Sequence, residues 1–174
     1  KDLNAGASGG NHGLLHSGGR YAFADTETAA ECRTESEILK RVASECIDDC
    51  GGLFVAVDGD DPAFAERFPD HCQKAGIECV PLASAEAREL EPALSGRVFA
   101  VYQVPDASVD PFRLTLSNVH HARQLTGSRY LPHTEVTGFD IDAGLIRGVS
   151  CRDRRSGRSC RIIARQVVNA AGAW

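Results

Sequence analysis

A chain of 174 residues with 43% hydrophobic and 25% charged content is long enough for one packed domain and has the composition of a globular protein. Its net charge of −5 argues against non-specific binding to nucleic acid or to acidic lipid surfaces. No apolar run approaches the roughly 18 to 20 residues that cross a bilayer, and the N-terminus lacks the layout of a secretion signal.

The chain starts at Lys1, contains no methionine and stops at Trp174 directly after a strand-like run, so it reads as a segment of something longer. Seven cysteines at irregular spacing include no C-x-x-C pair, which argues against a zinc or cluster site. Cys46 and Cys50 could share a helix face, and Cys151 and Cys160 could meet across a hairpin. Reduced, mostly buried thiols of a cytoplasmic protein are the expectation.

The stretch Ala5–Tyr21 reads A-G-A-S-G-G-N-H-G-L-L-H-S-G-G-R-Y. Glycine at that density lets backbone lie directly against a ligand, and serine, asparagine and histidine add donors and acceptors at short reach. Leu14-Leu15 in its middle is out of place in a flexible linker. A ligand-facing loop is expected.

Asp25 caps a helix expected to run to about Glu45, with Leu39, Val42, Ala43 and Cys46 as one apolar stripe closed by Gly51-Gly52. Leu53–Val57 reads as a buried strand. Asp58-Gly59-Asp60-Asp61 lacks the ligand spacing of a calcium loop and reads as a turn plus a helix cap, with Pro62 at the first helical position. Phe64–Ala75 follows as a helix with Ala65, Phe68, Cys72 and Ala75 on one face, stopped by Gly76. Ile77–Leu82 reads as a short strand, Ser84 opens a short helix that ends before Pro92, and Arg97–Val104 reads as a strand with Val98, Ala100 and Tyr102 on one face.

Val104–Pro111 reads as a turn-rich approach to a well-marked helix, capped by Asp110, with Pro111 in its first turn and Gly127 at its end. Phe112, Leu116, Val119 and Ala122 give its apolar stripe. His120 and His121 point about 100° apart and make a poor metal pair. Three strands are expected next, Arg129–Ile141, Leu145–Arg152 and Cys160–Ala170, with a turn at Ser156-Gly157. Arg152, Arg154, Arg155, Arg158 and Arg161 cluster around that turn and read as a solvated surface. Gln166–Trp174 reads as a buried strand that brings backbone to a ligand.

No G-x-S-x-G elbow, H-E-x-x-H or P-loop lysine is present, and Gly9-Gly10-Asn11-His12-Gly13 does not sit between a strand and a helix as a dinucleotide fingerprint must. The architecture expected is mixed α/β: a glycine-rich loop over 1–24, substrate-side helices and sheet over 25–128, and a second group of strands over 129–174.

Three stretches together carry a resemblance: G-A-S-G-G-N-H-G-L-L-H-S-G-G-R-Y, V-P-D-A-S-V-D-P-F-R-L-T and V-V-N-A-A-G-A-W. They resemble the FAD-dependent oxidoreductases of D-amino-acid oxidase type, and within them the glycerol-3-phosphate dehydrogenases of the anaerobic A-subunit type. The resemblance implies the middle portion of that flavoenzyme fold, without its N-terminal βαβ unit. It implies FAD as cofactor, with Ser8, Gly9, Asn11, Gly13 and Leu14 along the flavin, Val136 meeting the adenine through backbone, and Ala170, Ala171 and Gly172 approaching through main chain. It places His16 near the reactive ring and Arg20 and Tyr21 beside the substrate as the catalytic group, and implies no metal site.

The reaction implied is oxidation of sn-glycerol 3-phosphate to dihydroxyacetone phosphate, with electrons leaving through iron–sulfur partner subunits towards quinone. The implied location is cytoplasmic, peripheral on the inner face of the membrane through those partners, with no nucleic acid bound. An L-2-hydroxyglutarate oxidase or dehydrogenase, which has a similar loop, and a non-catalytic domain retaining the fold are the rival readings. The isolated segment is expected to be colourless and inactive.

Overall fold

The computed structural model describes residues 3–172. They group into two units: His12–Asp110, and the residues up to Asn11 together with those from Pro111 onward.

In the first unit, the two-residue strand β1 (Leu14–Leu15) leads through a 3-10 turn at Gly19–Tyr21 to helix α1 (Thr26–Val42). The Asp25 side chain accepts from the Thr28 amide at 3.0 Å, the cap expected of it. The helix stops at Val42, short of the expected end, because Ala43 leaves helical geometry with φ −137°. The expected stripe therefore breaks: Val42 is 71% exposed, while Ala43 and Cys46 are buried by the 3-10 turn Ser44–Cys46 that follows. That turn delivers β2 (Ile47–Asp48), a strand the sequence reading did not contain.

A three-stranded antiparallel sheet forms from β3 (Gly52–Val57), β4 (Val80–Pro81) and β5 (Val98–Val104), in the order β3-β5-β4. Between β3 and β4 lies α2 (Pro62–Lys74), whose cap Asp61 accepts from the Ala63 amide at 3.0 Å. Its buried face is Ala65, Phe68 and Cys72, continued by Ala75, as expected. Phe68 stacks on Phe54 of β3 at 4.7 Å between ring centroids and lies 5.6 Å from Tyr102 of β5. With Ala22, Ala29, Ile77 and Val104 these residues make the core of the unit. The strand expected over Ile77–Leu82 shrinks to Val80–Pro81, the two residues that pair with Gln103 and Tyr102 of β5.

Helix α3 (Ser84–Leu90) begins at Ser84 as expected, with Ala83 as its cap and the Glu86 carboxylate accepting from the Ala83 amide at 2.9 Å. On β5, Val98, Ala100 and Tyr102 are each half-buried, and the residues buried most deeply are Val101 and Val104. The run Val104–Pro111 contains β6 (Ala107–Val109), which two flanking prolines and two aspartates disguise as turn. It is the central strand of a second sheet, β1-β6-β2.

The second unit contains a 3-10 turn at Ala7–Gly9, helix α4 (Pro111–Thr126) and a meander of β7 (Thr134–Asp142), β8 (Leu145–Asp153) and β9 (Ser159–Ile163). The predicted stripe of α4 is not buried: Phe112 and Leu116 are each 58% exposed. The turn at Ser156-Gly157 is as expected, with the Asp153 carboxylate accepting from the Arg155 and Ser156 amides at 2.7 and 2.9 Å. Arg154 pairs with Glu135 at 3.1 Å and Arg161 with Asp140, so two of the five arginines are engaged across the meander. Cys151 and Cys160 face each other in register on β8 and β9, both as free thiols.

The expected third strand ends at Ile163, and residues 166–172 are irregular and largely exposed, with no strand pairing among the described residues. The Trp174 end of that predicted strand lies outside the described residues. Among those described, no helix is long and apolar enough to cross a membrane.

Candidate functional site

The glycine-rich stretch is divided between the two units after Asn11, and each half is built differently. In the His12–Asp110 unit the chain from Gly13 to Ser17 runs along β6. Val109 donates to the Gly13 carbonyl at 2.8 Å, Leu14 and Leu15 pair with Ser108 and Ala107, and the Ser17 amide donates to the Asp106 carboxylate at 2.6 Å. A segment too rich in glycine to hold itself is therefore pinned by a neighbouring strand.

Gly18 then turns the chain at φ +98°, and a Cβ there would sit 2.2 Å from the Ala29 carbonyl oxygen of α1. Only glycine fits that approach. The following 3-10 turn presents Arg20 and Tyr21, with the Tyr21 amide donating to the Gly18 carbonyl at 2.9 Å.

This arrangement brings together the three predicted catalytic residues. The His16 ring meets Tyr21 edge-on at 5.6 Å between centroids, and the Arg20 guanidinium carbon lies 5.5 Å from the Tyr21 ring centroid. Arg20 is exposed. A planar guanidinium over an aromatic ring is held in direction while its N–H groups stay available to an anion.

Burial pushes the His16 imidazole below its ordinary pKa; Asp106 opposes that shift, and Arg20 and His12 add to it. The ring is thus kept neutral around pH 7, with one nitrogen able to accept a hydrogen bond. His16 Nδ1 and the Ser17 hydroxyl are buried polar atoms without a hydrogen-bond partner among the described residues.

The other predicted cofactor contacts fall in the second unit. Ser8 and Gly9 lie in the 3-10 turn, where the Asn11 side chain donates to the Ser8 carbonyl at 2.7 Å. The Asn4 amide ties this segment to the start of α4 by donating to the Pro111 carbonyl at 3.0 Å. Val136 and the stretch Val167–Ala171 line one cavity of about 590 Å³ with Thr137, Gly138 and Phe139. Val136, Ala170 and Ala171, named for cofactor approach from distant sequence positions, thus share one surface, which Gly172 does not line. Gly13 and Leu14 belong to the first unit, at the edge of β6.

Along residues 1–174 the chain matches the family described as DAO, FAD dependent oxidoreductase. The chain belongs to this family. It is 42% identical over 173 residues to the A subunit of the anaerobic glycerol-3-phosphate dehydrogenase of Escherichia coli (strain K12), covering 99% of this chain and 32% of that protein. To the A1 subunit of the anaerobic glycerol-3-phosphate dehydrogenase of Haloferax volcanii it is 39% identical over 182 residues, covering 99% of this chain and 31% of that protein. The chain spans about a third of the length of these curated relatives.

Among solved structures, L-proline dehydrogenase from P. horikoshii superposes with a TM-score of 0.72 at 29% identity, over 89% of this chain and 41% of that one. The glycerol-3-phosphate dehydrogenase from Bacillus halodurans, complexed with FAD, does so with a TM-score of 0.64 at 22% identity, over 98% of this chain and 28% of that one. The second likeness is one of fold.

The residues present fit the family's cofactor on two observations. His16 Nδ1, predicted to lie near the flavin ring, and the neighbouring Ser17 hydroxyl are buried without partners among the described residues, and a cavity gathers three of the backbone positions predicted to approach the cofactor. Missing from the sequence reading was Asp106, 4% exposed, whose carboxylate anchors that segment. It is the only charged residue between Arg97 and Asp110, a signal the turn reading of Val104–Pro111 passed over.

Proposed function

We propose that this chain is part of a flavin-dependent sn-glycerol-3-phosphate dehydrogenase that produces dihydroxyacetone phosphate. The single observation carrying the reading is the convergence of His16, Arg20 and Tyr21 on one short turn, in a chain 42% identical to the A subunit of such an enzyme. Flavin, when bound, supplies the acceptor for the hydride that leaves C2 of the alcohol.

The protein groups do the rest. Arg20 pairs with the substrate phosphate through two parallel N–H bonds, and Tyr21 holds the guanidinium in direction from one side. His16, kept neutral by burial, accepts a hydrogen bond from the alcohol hydroxyl and so orients C2. Ser8, Gly9, Asn11, Gly13, Leu14, Val136, Ala170, Ala171 and Gly172 hold the cofactor, largely through main chain. In this reading residues 25–128 serve the substrate side and 129–174 the flavin side. Electrons pass through iron–sulfur partner subunits towards quinone, on the cytoplasmic face of the membrane.

The test is steady-state kinetics of the protein at its full natural length, with glycerol 3-phosphate and L-2-hydroxyglutarate as competing substrates and a dye as electron acceptor. Turnover of the phosphate ester is expected, and Arg20→Ala should raise its KM by roughly 10- to 100-fold, the worth of a lost charge-assisted pair. Preference for the hydroxy acid, or a colourless protein without a flavin band, would overturn the reading.

A further inference from the structure

The loop that carries His16 owes its position to one buried carboxylate. Asp106 is 4% exposed and accepts the Ser17 amide at 2.6 Å, one residue from the imidazole. The fold makes room for it: a Cβ on Gly52 would lie 2.8 Å from the Asp106 Cβ, so β3 approaches this side chain as only a glycine strand can. Lys40 of α1 fixes the preceding residue by donating to the Pro105 carbonyl at 2.9 Å. Three elements thus converge on a buried acid that accepts the Ser17 N–H. The residue next to Ser17 is His16, whose Nδ1 is buried and unpartnered among the described residues.

We propose that Asp106 is the positioning residue for His16: its carboxylate clamps the backbone that carries the imidazole, one residue away, and its negative charge acts on the ring from that position. The charged and titratable groups acting on His16 are Asp106, Arg20 and His12, and Asp106 alone among them favours the protonated ring. This rests on the reading that His16 faces the substrate.

The experiment compares Asp106→Asn, Asp106→Ala and His16→Gln in the flavin-loaded protein at its full natural length. It reads Ser17 amide exchange and the His16 titration, both by mass spectrometry, beside kcat and KM. Asparagine keeps an acceptor and removes the charge, so Ser17 exchange should stay within about threefold of the parent while the His16 midpoint moves to lower pH. Alanine removes both, and Ser17 exchange should quicken by about tenfold or more. In both variants kcat should fall further than KM rises, by up to about 100-fold, since a misplaced orienting group costs chiefly the reacting geometry.

A His16 midpoint unchanged in Asp106→Asn overturns the proposal, whether or not Asp106→Ala folds. So does Ser17 exchange unchanged in Asp106→Ala. Unchanged turnover in His16→Gln, with the midpoint shift present in Asp106→Asn, supports the coupling and overturns only the functional reading on which it was built.

Discussion

Three glycines of the first unit separate two costs that are usually entangled. Gly59 has φ +105° and nothing within 4 Å of a built Cβ, so Gly59→Ala pays only for its left-handed backbone. That strain is about 1 to 2 kcal/mol, reduced by about 0.4 to 1 kcal/mol because alanine narrows the unfolded ensemble. The net loss is about 0 to 1.6 kcal/mol. Gly18 has nearly the same φ, +98°, but its Cβ would meet the Ala29 carbonyl oxygen at 2.2 Å and two further backbone atoms at 3.0 and 3.1 Å. Neither side of that overlap is a flexible side chain, so α1 must shift away from the turn. Adding about 1 to 3 kcal/mol for overpacking gives a loss of about 1 to 4.6 kcal/mol for Gly18→Ala.

Gly52→Ala meets only the Asp106 side chain, at 2.8 Å, without a left-handed backbone. It should fall between the two. Urea unfolding of the three variants, followed by far-UV circular dichroism, ranks them, and amide exchange on Gly18–Ala30 shows where Gly18→Ala yields. A loss for Gly18→Ala no larger than that for Gly59→Ala would refute the overlap argument. Because the Gly18 carbonyl accepts the Tyr21 amide, the same substitution should also loosen Arg20 and Tyr21 and raise KM for the phosphate ester.

His16 makes stability depend on pH in a defined window. Its folded pKa is lowered from 6.5, chiefly by burial, so below 6.5 the unfolded chain binds the proton more readily. Stability should fall as pH drops from 6.5 through the folded midpoint and lose nothing more from this group below it; His16→Gln should flatten that part of a urea-midpoint profile. Tyr102→Phe removes the hydroxyl that donates to the Ala65 carbonyl of α2 at 2.8 Å, and should cost about 0.5 to 1.5 kcal/mol in the same assay.

Where local chemistry is self-sufficient, the sequence was a good guide. Asp25 and Asp61 cap the helices they were expected to cap, and Ala65, Phe68, Cys72 and Ala75 form the predicted face because a 3.6-residue period needs no partner to be recognised. The failures lie where a distant element decides. Ala43 leaves the helix so that Ile47–Asp48 can reach Val109 and Ser108, and no residue near Ala43 announces a strand some sixty positions away. Gln166–Gly172 has the valines and small residues of a buried strand, but among the described residues nothing pairs with it and Val168 is 89% exposed. β-propensity without a neighbour is not a strand.

The site shows the same division. His16, Arg20 and Tyr21 were nameable because they lie within six positions of one another, and a short turn must bring such residues close. Asp106 was not, because its meaning depends on Ser17, 89 positions away. A glycine-rich loop gains freedom to approach a ligand and loses the means to define its own shape, since each glycine adds conformations that must be restrained from outside. Here the restraint comes from the backbone of β6 and from one buried carboxylate, which makes V-P-D-A-S-V the second half of the loop in every respect but sequence. A substitution in Ala107–Val109 that breaks its pairing with Leu14 and Leu15 should therefore disturb His16 as severely as a substitution in the loop itself, although it touches none of the three converging side chains.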